Sequence, residues 1–203
     1  MPTKIILVRH GETVWNNERR SQGFSDIPLS PVGEEQAKDL AKALRKKRID
    51  AVYSSDLIRS KKTADIIAAP HKIMAKMDVR LRELNQGELE GQKLETMLSE
   101  HPDLLKQWMD SPADVTMPGG ESLTSLQARC WRAVEDIVGK HTDQTVVVVA
   151  HNLANLSIIC RAIGLDLNRF RSLKMNNASI SVIEFHPGRG PVLTRLNETG
   201  HLC

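Results

Sequence analysis

With 203 residues, 40% of them hydrophobic and 26% charged, the chain can bury one core of ordinary size, and its net charge of +3 is too small to point to nucleic acid. Aromatic residues are only 3% of the total, which leaves little for stacking bases. Three separated cysteines, Cys130, Cys160 and Cys203, show no C-x-x-C spacing and argue against a disulfide framework or a zinc site.

Residues 3–9 read as a short strand, apolar enough to be buried on both faces. "SPVGEEQAKDLAKALRKKR" follows as a helix with Ser30 at its N-cap and Ala37, Leu40, Ala41 and Leu44 on one face. Its basic end, Lys42 to Arg48, reads as a solvated helix terminus, where cations complement the dipole. "DAVYSS" reads as a second strand, and "DLIRSKKTADIIAA" as a helix with Asp56 near its start and Pro70 at its close. Residues 88–120 carry no strand signal: "LETMLSEHP" and "DLLKQWMDS" read as short helices interrupted at Pro102 and Pro112. A long amphipathic helix covers "ESLTSLQARCWRAVEDIVGKH". "TVVVVA" (Thr145 to Ala150) is the clearest strand, "NLANLSIICRAIG" a helix ended by Gly164, and "SISVIEF" and "VLTRLN" closing strands. The alternation predicts a three-layer α/β/α fold with a mostly parallel central sheet. We read residues 1–203 as one domain, with 88–120 inserted as a small helical cap.

In open α/β sheets, ligands bind beyond the carboxyl ends of the strands. His10 follows the first strand and His151 follows "TVVVVA", so two imidazoles are expected at one rim. Arg9 ends an apolar run, and Arg59 lies in the first turns of the helix after "YSSD". Two guanidinium groups beside two imidazoles make an anion site, and phosphate fits their forked donors. The turns after both histidines are expected to present backbone N–H groups. The remaining histidines sit in loops or at element ends. His71, His101, His141 and His186 read as structural, and His201 is unassigned.

Five segments in order carry a family resemblance: "LVRHGET" with "WN" close behind it, "QGFSDIPLSPVGEEQA", "VYSSDLIRSKKTA", "LRELNQGELEG" and "VVVVAHN". Together they resemble the histidine phosphatase superfamily, which includes phosphoglycerate mutases and small phosphatases. The resemblance implies that His10 is a nucleophile that becomes phosphohistidine. It implies that Arg9, Arg59 and His151 hold the phosphoryl oxygens, that Asn16 touches the phosphate, and that Glu83 donates the proton to the leaving alkoxide. Gln22, Gly23 and Asn152 are assigned to substrate binding. Glu12 reads as a structural carboxylate near the turn. Burial of Glu83 should favour its protonated form, and neighbouring arginines should oppose it.

Two positions depart from the family pattern. Asn152 follows the second histidine, where glycine is frequent, and could cap the next helix. Gln86 stands where the mutases carry tyrosine, and the insertion offers Lys93 and Lys106 but no arginine pair. A short, sparsely basic cap suits hydrolysis over return of the phosphoryl group. The resemblance therefore implies a metal-independent phosphomonoesterase acting on a small phosphorylated metabolite, with no cofactor and with no nucleic-acid or membrane partner. A phosphoglycerate mutase-type phosphotransferase and a non-catalytic phospho-ligand-binding module are the alternatives. The chain's start lacks a signal-like apolar run and no stretch reaches membrane-span length, so a cytoplasmic location is expected. Arg161, Arg169 and Arg171 are left between substrate contact and plain surface, and exposed sheet edges leave a homodimer open.

Overall fold

The computed structural model describes residues 1–202, so Cys203 lies outside the described residues. The elements in order are β1 (Thr3–Arg9), α1 (Val14–Asn17), α2 (Pro31–Leu44), β2 (Ala51–Ser54), α3 (Ile58–Ala68), β3 (Ala75–Met77), α4 (Leu94–Glu100), α5 (Pro102–Asp110), α6 (Leu123–Lys140), β4 (Thr145–Ala150), α7 (Asn152–Ile163), β5 (Ile180–Phe185) and β6 (Val192–Glu198).

One six-stranded sheet runs in the order β3-β2-β4-β1-β5-β6. β3, β2, β4 and β1 are mutually parallel, and β5 and β6 complete the sheet antiparallel. Both faces of the central strands are covered, which is why "IILV" and "VVVV" show no polar alternation. Ile5 and Leu7 of β1, with Val146 and Val148 of β4, pack with the α6 and α7 side chains Leu126, Cys130, Ile158 and Ile159. Their neighbours Ile6, Val8, Val147 and Val149 pack on Leu40 and Leu44 of α2 and Ala64 and Ile67 of α3. The fold is the three-layer α/β/α arrangement read from the sequence.

Local chemistry explains the boundaries and four departures from expectation. Ser30 caps α2 through a bond from the Gly33 N–H at 3.1 Å, with Pro31 in the first turn. The helix stops at Leu44, leaving Arg45 to Arg48 exposed beyond it. Asp56 does not start α3. Its carboxylate accepts from Arg82 Nε at 2.7 Å, and Asp26 takes the Ile58 N–H at 2.6 Å instead. Asn152 is not a cap: His151 occupies the N-cap position of α7 and Asn152 is its first residue. The short edge strand β3 was not expected, because "AKM" is brief and mostly exposed. Pro102 begins α5, as its fixed φ allows, and Gly164 closes α7 at φ 67°.

The segment that holds α4 and α5 is laced to the loop after β1. Ser21 bonds to two successive residues across it: its carbonyl accepts the Gly91 N–H at 2.8 Å and its own N–H donates to Gln92 O at 3.0 Å. Arg20 Nη1 adds a bond to the Gly91 carbonyl at 3.0 Å. Among the described residues no helix is long and apolar enough to cross a membrane.

Candidate active site

The register of the central strands builds the site. β1 and β4 run parallel with Arg9 opposite Ala150, so the next residue of each strand is a histidine. The His10 and His151 rings therefore meet edge-on, with centroids 5.1 Å apart. β2 lies on the other side of β4 in the matching register, which brings the Ser55 hydroxyl to 2.6 Å from His151 Nε2.

His10 is 3% exposed, and its Nδ1 lies 2.6 Å from the Gly11 carbonyl. A carbonyl only accepts, so Nδ1 carries the hydrogen and Nε2 keeps its lone pair. Burial first, then the charges of Arg59 and Arg9, hold this imidazole well below its ordinary pKa. It is therefore neutral at pH 7, the form a nucleophile needs. Gly11 makes the tight turn after β1 possible, since a Cβ there would sit 2.3 Å from the Gly33 carbonyl oxygen at the start of α2.

Arg59 is 1% exposed and reaches across to the loop before α2. Its two terminal nitrogens donate to Ser25 O at 2.7 Å and Gly23 O at 2.8 Å. Arg9 donates through Nη1 to Met175 O at 2.7 Å. Burial lowers both guanidinium pKa values to about 10, with Glu83 opposing, so both remain charged at neutral pH. Arg9 Nε, Arg59 Nε and His151 Nδ1 are buried without a hydrogen-bond partner among the described residues. The two guanidinium N–H groups are donors, and a buried unpaired donor costs roughly 1–3 kcal/mol, which an oxyanion bound beside Arg9 and Arg59 would recover. His151 is fully buried and does not line the cavity itself, and burial followed by Arg59 holds its pKa well below the ordinary value.

Glu83 is 9% exposed and forms no ion pair with Arg80 or Arg82. Arg80 pairs with Asp78 and Asp136, and Arg82 with Asp56. The Glu83 carboxylate sits on the N-terminus of α7. Oε1 accepts the Leu84 N–H at 3.0 Å and the Ala154 N–H at 3.1 Å, and Oε2 accepts the Leu153 N–H at 3.1 Å. This corrects the expectation that the α7 N–H groups face the anion. They hold the carboxylate instead.

Asn16 is oriented by its oxygen, which takes the Thr13 N–H, the Thr13 hydroxyl and the Asn177 amide, each at 3.1 Å. Its own amide nitrogen is thereby turned outward as a donor. A cavity of about 450 Å³ opens over this group. Arg9, His10, Asn16, Arg59 and Glu83 line its floor, with Gln22, Gly23 and Asn152 at the side. Every predicted site residue except His151 thus lines one cavity. Lys93 and Lys106 do not line it, nor do Arg161, Arg169 and Arg171. Arg171 instead lies over the Trp108 and Phe170 rings. Glu12 accepts from the Ser30 hydroxyl at 3.0 Å, a structural role as expected.

Sequence reasoning missed two supports. Ser55 was hidden in "YSSD" because nothing in the chain order shows that its hydroxyl reaches His151. Glu90 was hidden in "GELEG", yet its carboxylate accepts the Phe24 N–H at 2.7 Å, the Ser25 N–H at 2.7 Å and the Ser25 hydroxyl at 2.6 Å. It thereby fixes the loop whose carbonyls hold Arg59. Among the described residues, no group of three or more histidine, cysteine or acidic side chains is placed to hold a metal ion.

This constellation has close counterparts. The model of the histidine phosphatase superfamily (branch 1) matches residues 5–199. The chain belongs to the histidine phosphatase superfamily. Its relatives include phosphoserine phosphatase 1 of Hydrogenobacter thermophilus, 38% identical over 199 residues that cover 98% of this chain and 94% of that protein. A probable phosphoglycerate mutase, GpmB, of Yersinia pestis is 34% identical over 203 residues with the same coverage. Of the solved structures, Bacillus stearothermophilus YhfR superposes with a TM-score of 0.93 at 30% identity, covering 98% of each chain. A histidine-to-alanine mutant of phosphoserine phosphatase from Entamoeba histolytica, in complex with phosphoserine, superposes at 0.88 with 28% identity, covering 99% of this chain and 100% of that one. This histidine phosphatase is a phosphoric monoester hydrolase.

Proposed function

We propose that hydrolysis proceeds through a phosphohistidine at His10, without a metal ion, with Glu83 as the acid and then the base. The observation that carries this reading is the 2.6 Å bond from His10 Nδ1 to the Gly11 carbonyl. It commits the ring to one tautomer and leaves Nε2 as the attacking atom.

In the first step, Nε2 attacks phosphorus and the bond from phosphorus to the ester oxygen breaks. The leaving alkoxide takes a proton from Glu83. Oε2 is the oxygen assigned to carry that proton, because it accepts one backbone N–H where Oε1 accepts two. Phosphoryl transfer asks mainly for positioning and for neutralisation of charge on the three equatorial oxygens. Arg9, Arg59 and the Asn16 amide are assigned to those oxygens, with Asn152, Gln22 and Gly23 shaping the entry. His151 is assigned as the second imidazole, supported by its contact with His10 and its unpaired Nδ1. In the second step Glu83 takes a proton from water, the water oxygen attacks phosphorus, and the phosphorus–Nε2 bond breaks. Inorganic phosphate leaves and His10 returns to its neutral form.

Hydrolysis of an aryl phosphate in EDTA, lost in His10→Ala, tests the reading, and complete inactivation by the chelator would overturn the metal-free scheme. The segment 88–120 is assigned as the cap of a single domain. Free, buried Cys130 and Cys160 support a reducing, cytoplasmic setting. A homodimer would use the outer edge of β6, and light scattering at micromolar concentration reads it.

A further inference from the structure

The cavity changes character with distance from His10. Its floor is charged, but its outer wall is built from Leu94 and Met97 of α4, Leu105 and Trp108 of α5, Met117 and Phe170. Leu105, Met117 and Phe170 are buried at 8%, 3% and 6% exposure, so this is a packed apolar wall and not a loose fringe. A second hollow of about 600 Å³ adjoins it, and Leu94, Leu105 and Trp108 face both. Leu98, Pro102 and Met109 continue that hollow across the outside of α4 and α5, and Lys106 and Arg171 complete its lining, with Arg171 lying over the Trp108 and Phe170 rings. Leu94, Leu98 and Met109 are exposed at 52%, 53% and 65%, an apolar strip that a freely solvated surface has no reason to keep.

Polar amino-acid or sugar-acid esters find few partners in that outer half. Among the described residues, Glu83 is the only carboxylate lining the cavity, so a substrate ammonium group has no second acid to meet. Arg19 and Arg20 stand at the rim. Arg20 is committed to Glu18 at 2.5 Å and to the Gly91 carbonyl at 3.0 Å. Arg19 at the rim is then left to favour a second anionic group, with Lys106 and Arg171 in the adjoining hollow.

Resting on the phosphatase reading above, we infer that the preferred substrate class is the phosphate monoester of a bulky apolar alcohol. The alkyl or aryl body lies against Trp108, Phe170 and Leu105 and extends past Leu94 onto the strip beside Leu98. The two hollows share Leu94, Leu105 and Trp108, and an alcohol of this kind is the occupant that would cover the apolar surface they offer, with its far end passing between Lys106 and Arg171. Burying the body removes apolar surface from water on both sides.

The test is kcat/KM for the full chain on methyl, butyl and octyl phosphate, each below its micelle concentration, beside O-phospho-L-serine and 3-phosphoglycerate. The alkyl alcohols leave with similar ease, so the series reads binding of the body and not chemistry. We expect a rise along the series of up to about fourfold per methylene at full burial. Octyl phosphate should also exceed both polar esters. Trp108→Ala should flatten the series, and the exposed Leu98→Asp, which is safe for folding, should flatten the step from butyl to octyl. A flat or falling alkyl series overturns the inference while leaving the phosphatase reading intact. So does faster turnover of phosphoserine, or of 3-phosphoglycerate through Arg19. A rise that survives unchanged in both variants overturns it as well. Hydrolysis of none of these esters would remove the phosphatase reading itself, and this inference with it.

Discussion

Gly23 and Glu90 leave no space between them for a side chain: a Cβ at position 23 would lie 2.1 Å from Glu90 Oε1. Gly23 also holds φ at +51°, the left-handed region that favours glycine. The pair matters because the Gly23 and Ser25 carbonyls seat Arg59, and Glu90 holds those residues in place. Order is thus passed from Glu90 to a loop, and from the loop to the guanidinium that the proposed mechanism sets on the phosphoryl group.

Glu90→Gln should therefore lower kcat/KM by roughly 10–100-fold, the loss of charge-assisted hydrogen bonds worth about 1.5–3 kcal/mol. Because the proposed mechanism assigns Arg59 to the phosphoryl group and not to the alcohol, aryl and alkyl esters should lose alike. Initial rates on both ester types, with circular dichroism to confirm folding, read this. An undiminished rate would show that Glu90 does not position Arg59.

Glu83→Gln should behave differently. An aryl oxide leaves without much help, while an alkoxide needs a proton. The loss should be at least about tenfold greater on alkyl esters than on activated aryl esters, within the range general acid catalysis contributes. Equal losses on both would remove Glu83 from the acid role.

Arg59→Lys keeps a charge but cannot bond both carbonyls and present a further N–H to an oxyanion. We expect kcat to fall by about 100- to 1000-fold, as for loss of a preorganised oxyanion donor. Steady-state kinetics on an aryl phosphate would measure it, and a rate within a few-fold of the parent would refute the placement.

Stability should fall as pH drops below about 6.5, the ordinary histidine value. His10 and His151 are both held well below that value by burial and neighbouring cations. The unfolded chain then takes up protons that the folded chain refuses, so stability rises with pH through this window and is lost on acidification. Each histidine contributes a slope approaching about 1.4 kcal/mol per pH unit. Asp50, Asp56, Asp78 and Glu184 have lowered values and act in the same direction, but at lower pH. Urea midpoints between pH 7 and 5 should fall in the parent and fall less steeply in His151→Asn. A flat profile would mean the two imidazoles are not held neutral.

The central strands were legible because their apolar runs have only one use in a layered fold. The pairing of His10 with His151 followed from that, since both close such runs. β3 escaped notice because three residues, two of them exposed, leave no periodic trace. The true start of α3 escaped because its cap comes from Asp26, far back in the chain. Glu90 and Ser55 were illegible for the same reason: each acts across the fold on a partner that spacing along the chain does not reveal. The apolar wall of the cavity also depended on how α4 and α5 pack together over it, which their patterning leaves open.

The central claim is that His10 Nε2 takes the phosphoryl group. Reaction with a radiolabelled phosphate ester, quenched within one turnover, should show label bound to the protein that acid removes and alkali spares, and His10→Ala should show none. Steady turnover with no trapped label at any quench time, or equal labelling in His10→Ala, would contradict the account.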